Sequence, residues 1–62
     1  MIILFVKYRV TDGINITKES EEVMKFEKED DICTESIKKK CTYQPSSYYR
    51  GAGIILDEIT RV

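Results

Sequence analysis

The amino-acid sequence predicts a small α+β domain, ββαβ in order, in which a three-stranded sheet of order 2-1-3 carries one helix packed on one face. Three observations predict it. The first ten residues, Met1 to Val10, are a β-rich run that is apolar on both faces in its first half and on one face thereafter. Residues 32–41 place apolar side chains at helical spacing between an acidic start and a basic end. Residues 53–62 alternate with high β-branched content directly after glycines.

On the first strand the two-residue period puts Ile2, Leu4, Val6, Tyr8 and Val10 on one face, which should carry the core, and Met1, Ile3, Phe5, Lys7 and Arg9 on the other. Thr11-Asp12-Gly13 is turn chemistry, but the next apolar run lies too far away for a two-residue hairpin, so residues 11–20 read as a long polar connection. Val23, Met24 and Phe26 fit a short strand with Met24 and Phe26 inward, and the dense charge around them suits a sheet edge. Asp30-Asp31 then caps a helix whose basic last turn, Lys38-Lys39-Lys40, complements the helix dipole, with Cys33, Ile37 and Cys41 on one stripe beside Ile32. Pro45 ends it. The last ten residues fit a strand, with Ile54, Leu56, Glu58, Thr60 and Val62 alternating, and also a helix aligning Ile55, Ile59 and Val62; the β-branched content favours the strand. A right-handed crossover would lay this strand parallel to the first.

A chain of 62 residues is one domain, 1–62, and at this size apolar burial roughly balances ordering entropy, so a disulfide, a metal or a second subunit is often needed as a staple. With no histidine and two thiols, a structural metal site lacks ligands, and no cofactor is expected. Cys33 and Cys41, eight residues apart on a helix, would stand about 12 Å apart, beyond the reach of about 7 Å for a disulfide. They read as free buried thiols of a cytoplasmic protein, not as nucleophiles, since nothing nearby supplies a base. The apolar run at the start stops at Lys7, far short of a membrane span, with no leader-type flanks. Asn15-Ile16-Thr17 matches a glycosylation acceptor only by chance in that setting. Association with another chain remains as the staple.

Between Glu19 and Asp31 seven acidic residues, Glu19, Glu21, Glu22, Glu27, Glu29, Asp30 and Asp31, stand against Lys25 and Lys28, a local balance of −5. Such a strip either steers toward a basic surface or simply solvates an edge. Tyr48-Tyr49-Arg50 in a glycine-containing loop has the composition of an interface hot spot, or of a plain surface loop. Lys38 to Lys40 and Arg50 would be the contacts of a nucleic-acid module, but a net charge of −1 disfavours that partner. One helix covers one sheet face, so Met1, Ile3 and Phe5 should form an apolar patch on the other, and twofold pairing into a homodimer would cover it.

Taken whole, the run Val6-Lys7-Tyr8-Arg9-Val10-Thr11-Asp12-Gly13, the acidic segment around Glu22-Val23-Met24-Lys25-Phe26-Glu27 and a closing strand resemble the short, acidic, single-domain accessory proteins of bacteriophages and other mobile elements. The resemblance is one of size, charge and layout, and no functional residues carry over. It implies a non-enzymatic inhibitor of a host enzyme or defence protein, acting in the host cytoplasm by protein–protein contact. A small nucleic-acid-binding or regulatory module, and a structural subunit of a larger assembly, are the alternatives.

Overall fold

A computed structural model describes residues 1–45 and 50–62, and at its centre lies the strand that the sequence makes most apolar. β1 (Ile2–Thr11) is flanked by β2 (Ile16–Phe26) and β3 (Gly53–Arg61), and α1 (Thr34–Lys40) follows β2 after a short 3-10 turn at Glu29–Asp31. The fold is α+β, a three-stranded antiparallel sheet in the order β2-β1-β3 with one helix. Leu4, Val6, Tyr8 and Val10 of β1, Met24 and Phe26 of β2, Ile54 of β3, and Ile37 and Cys41 from the helical segment make the core. Ile2, Ile32 and Leu56 pack against its margin.

Residues 11–20 are not a long connection. β2 begins at Ile16, and the reversal is confined to 12–15, where the Asp12 carboxylate accepts the N–H groups of Ile14 and Asn15 at 2.8 Å each and Gly13 takes φ +96°. Asp12 N–H also donates to Asn15 O at 3.2 Å, closing the turn. The physical reason is the demand of β1 itself: a buried central strand leaves no N–H or C=O unpaired, so the polar stretch Ile16 to Ser20 is drawn into the ladder despite its composition. The charges that looked like a loop mark an edge. Thr17 is an extra residue between the pairs Val10↔Lys18 and Thr11↔Ile16, and its hydroxyl donates to Val10 O at 3.2 Å.

The helix is shorter than the acidic start suggested. Glu29, Asp30 and Asp31 form the 3-10 turn, Ile32 is extended to reach the core margin, and Cys33 is the residue that caps α1. Cys33 therefore faces solvent instead of joining Ile37 and Cys41 on the buried stripe; its Sγ lies 3.3 Å from Ser36 Oγ. Both cysteines are free thiols. The end of α1 is closed by Gln44, whose Nε2 donates to Lys38 O at 2.9 Å and Cys41 O at 2.8 Å.

β3 runs antiparallel to β1, not parallel to it. The handedness rule for crossovers governs the two strands that the crossover joins, and those are β2 and β3. Both oppose β1, so they are parallel to one another with β1 inserted between them. Phe26 ends β2 beside Ile2, and Gly53 starts β3 beside Thr11, so the helical connection carries the chain once along the sheet.

The strict alternation expected for β3 also breaks. Lys7 faces Glu58 and Tyr8 faces Leu56, leaving Asp57 as a bulge. Ile54 and Leu56 pair with the core positions Val10 and Tyr8; beyond the bulge the phase changes, and Ile59, not Glu58, stands opposite Val6. A bulge is the way one strand can give both Leu56 and Ile59 to the same face while sending Glu58 to the other.

Candidate functional site

The uncovered face of the sheet is assembled by register. Beside Met1, Ile3, Phe5, Lys7 and Arg9 of the central strand, β2 contributes Lys25 opposite Ile3, Val23 opposite Phe5, Glu21 opposite Lys7 and Glu19 opposite Arg9. β3 contributes Thr60 opposite Phe5 and Glu58 opposite Lys7, and the Val62 N–H donates to Ile3 O at 2.9 Å just past its end. The face thus has two halves. One is apolar: Ile3 and Phe5 are half-buried, while Met1, Val23 and Val62 are 77%, 60% and 79% exposed. The other is a charge ladder, with Lys7 Nζ 3.5 Å from Glu58 and Arg9 held by Asp57 through Nε at 2.8 and 3.0 Å. The Asp57 bond raises the Arg9 pKa further above its usual value.

The seven acidic residues do not form one strip. Glu19 and Glu21 lie on the uncovered face among cations, and Glu22 lies on the helix side. Glu27, Glu29, Asp30 and Asp31 are exposed at the end of the molecule where β2 meets the start of β1, with Glu29 bonded to Arg61 Nη2 at 2.5 Å. Arg50 is exposed at the other end, since Gly51 approaches Gly13 in the turn after β1 and Gly53 pairs with Thr11. The molecule is 36 Å long, so the acidic turn and Arg50 cannot serve one small contact. Tyr48 and Tyr49 lie outside the described residues.

Glu22 holds a different place from the other six. Its carboxylate accepts the Tyr8 hydroxyl at 2.5 Å and the Thr42 N–H at 2.9 Å, and the Thr42 hydroxyl donates to its other oxygen. Burial raises the Glu22 pKa, but the bonds from Thr42 and Tyr8 outweigh it and leave the group below its usual range. Tyr8, fully buried, is raised by that burial and by its bond to Glu22. This clamp fixes the segment after α1 to β2, and sequence reasoning missed it. The available signal was Glu22 itself, on the inward phase of β2 two residues before Met24, opposite a strand whose only inward polar atom is the Tyr8 hydroxyl.

Within the basic run Lys40 Nζ sits 5.1 Å from the centroid of Phe26, Lys38 is half-buried and Lys39 is exposed. Lys18 Nζ lies 4.6 Å from the Tyr43 ring. The Cys33 thiol is lowered by its hydrogen bonds to the Ser36 side chain and backbone, whereas burial raises the Cys41 thiol. Among the described residues no group of three or more His, Cys, Asp or Glu is placed to hold a metal ion, and no helix is long and apolar enough to cross a membrane. Comparison of the chain with protein-family models, with curated proteins and with solved structures gives no match.

Proposed function

We propose that this chain is a non-enzymatic binding protein that acts by protein–protein contact, as an inhibitor of a larger host enzyme or defence protein. The observation that carries the reading is the acidic turn: Glu27, Glu29, Asp30 and Asp31 are all exposed at one tip of the molecule, on a backbone fixed by Asp31 N–H to Lys28 O and Ile32 N–H to Glu29 O, each 3.1 Å. Exposed Met1 and Val62 adjoin that tip, so a partner meets apolar surface with an acidic rim. Such a rim speeds encounter with a basic surface and makes binding sensitive to salt.

The test is capture from bacterial extract with the wild-type chain and with a Glu27→Gln, Asp30→Asn, Asp31→Asn variant, followed by assay of the purified partner. A discrete partner held at low salt, released at high salt, lost by the variant and inhibited by the wild-type chain is the expected result. An unchanged set of captured proteins in the variant rejects the acidic turn as the contact. Salt-sensitive binding to generic DNA by the wild-type chain would instead support the nucleic-acid reading.

A further inference from the structure

We infer that the outer edge of β2 takes a fourth strand: an extended segment of the partner protein whose alternate residues run acidic, apolar, basic, basic against Lys25, Val23, Glu21 and Glu19. This deepens the reading of the chain as a protein-binding module, and it rests on residues 18–26 and not on the acidic turn. The two edges of the sheet differ. β3 is interrupted at Asp57, whereas β2 holds one register with β1 from Lys18 to Phe26. An edge strand turns every second set of N–H and C=O groups outward. Among the described residues no other segment's backbone bonds to those outward groups of β2.

The side chains select the occupant. On the helix side β2 is closed from Ser20 onward: Ser20 is half-buried, Glu22 is bonded to Tyr8 and Thr42, and Met24 and Phe26 are buried. What a neighbouring strand can read is the row Glu19, Glu21, Val23 and Lys25, all exposed. Lys7 and Arg9 stand opposite the two glutamates but bond to Glu58 and Asp57 on the other side of β1, so neither Glu19 nor Glu21 is in an ion pair among the described residues. An open cleft of about 640 Å³, lined among others by Lys7, Arg9, Glu19, Glu21 and Tyr43, leaves room there for long basic side chains. Opposite charges directly across two strands favour a match, and like charges oppose it. A second copy of the chain fails that condition. An antiparallel pair of β2 strands centred on any residue from Glu19 to Val23 sets a carboxylate against a carboxylate, with Glu19 meeting Glu27 in the Val23 case. The same glutamates repel a phosphate backbone.

A nuclear magnetic resonance titration of the isotope-labelled chain tests this with a synthetic peptide, glutamate-threonine-valine-threonine-lysine-threonine-lysine, blocked at both ends and added to millimolar concentration. The amide signals of residues 18–26 should shift, and the outward N–H groups of β2 should exchange more slowly with solvent. The charge-reversed peptide, lysine-threonine-valine-threonine-glutamate-threonine-glutamate, should bind the wild-type chain about tenfold more weakly, a comparison that needs no variant to fold. A Glu19→Gln, Glu21→Gln variant should lose about fivefold for the matched peptide. The Glu27→Gln, Asp30→Asn, Asp31→Asn variant should bind that peptide as the wild-type chain does, which separates this result from the capture test of the acidic turn. No shift with the matched peptide overturns the inference, as do equal binding of the two peptides and shifts confined to other segments. Protection of the outward β2 amides that grows with concentration of the free chain would give the edge to a second copy and overturn it too.

Discussion

The two faces of this sheet are made by alternate residues of the same strands, yet they are held by different physics. The helix side is a closed set of apolar contacts around Val6 and Tyr8, sealed by a carboxylate that binds one hydroxyl from β1 and one from the segment after α1. The open side is divided lengthwise into an apolar half and a half where lysine and arginine are matched by carboxylates of the neighbouring strand. One face depends on exclusion of water, and the other stays in water until something covers it. The lesson is that alternation in sequence settles which residues share a face and leaves open how much each face is worth.

The largest effect that tests this contrast is a pair of matched truncations. Phe26→Ala empties a buried position and should cost about 3–5 kcal/mol. A chain of this length has about 3–9 kcal/mol in all, so that variant should be largely unfolded by circular dichroism. Phe5→Ala, on the half-buried side, should cost about 1–2 kcal/mol in dilute solution. Equal losses for the two variants at low concentration would mean the open face is as closed as the other.

Next in size is the seal on the helix side. Glu22→Gln keeps the shape but withdraws the charge that Tyr8 and Thr42 bind, and should lower the urea stability at neutral pH by about 1–2 kcal/mol. The sign with pH follows from a carboxylate held below its unfolded value. Its contribution is complete above the unfolded pKa of about 4.3 and disappears as pH falls through the lower folded value. Urea midpoints measured from pH 7 downward should therefore converge for wild type and Glu22→Gln in the acid range, and parallel curves would reject the clamp. Smaller again is Gly13→Ala, which forces a side chain into φ +96° and should cost about 1 kcal/mol in the same assay. The smallest effect belongs to the ladder: Asp57→Asn should shift the urea midpoint slightly at low salt and not at all in molar salt, since the Arg9 pair is exposed.

Much of the helix side was legible in the residues. The inward set of β1, the inward Met24 and Phe26, and the place of β1 between the other two strands follow from period and from the apolar density of the first ten residues. The hairpin was not, because Ile16 to Ser20 is paired by the needs of its neighbour and not by its own composition. The direction of β3 was missed by applying a crossover rule to strands that no crossover joins. Its phase was hidden because a bulge leaves no mark in composition: Asp57 looks like any polar residue of an alternating strand. Of the candidate site, the positions of Met1, Ile3 and Phe5 on the uncovered face were readable from the same period. The separation of Arg50 from the acidic turn was not, because it is a matter of which end each connection reaches.

The bulge at Asp57 has one more effect, on how the molecule behaves in a crowd. β3 is an edge strand with exposed Ile55 and Ile59, a combination that in a flat ribbon would invite the same strand of another molecule to add on. The added residue bends the ribbon at its middle and leaves two short stretches, 53–56 and 58–61, neither long enough to template a continuous ladder. Deleting Asp57 would keep Leu56, Glu58 and Ile59 on their present sides and would straighten the edge. The register that folds the chain would survive, and the guard against fibre growth would be gone.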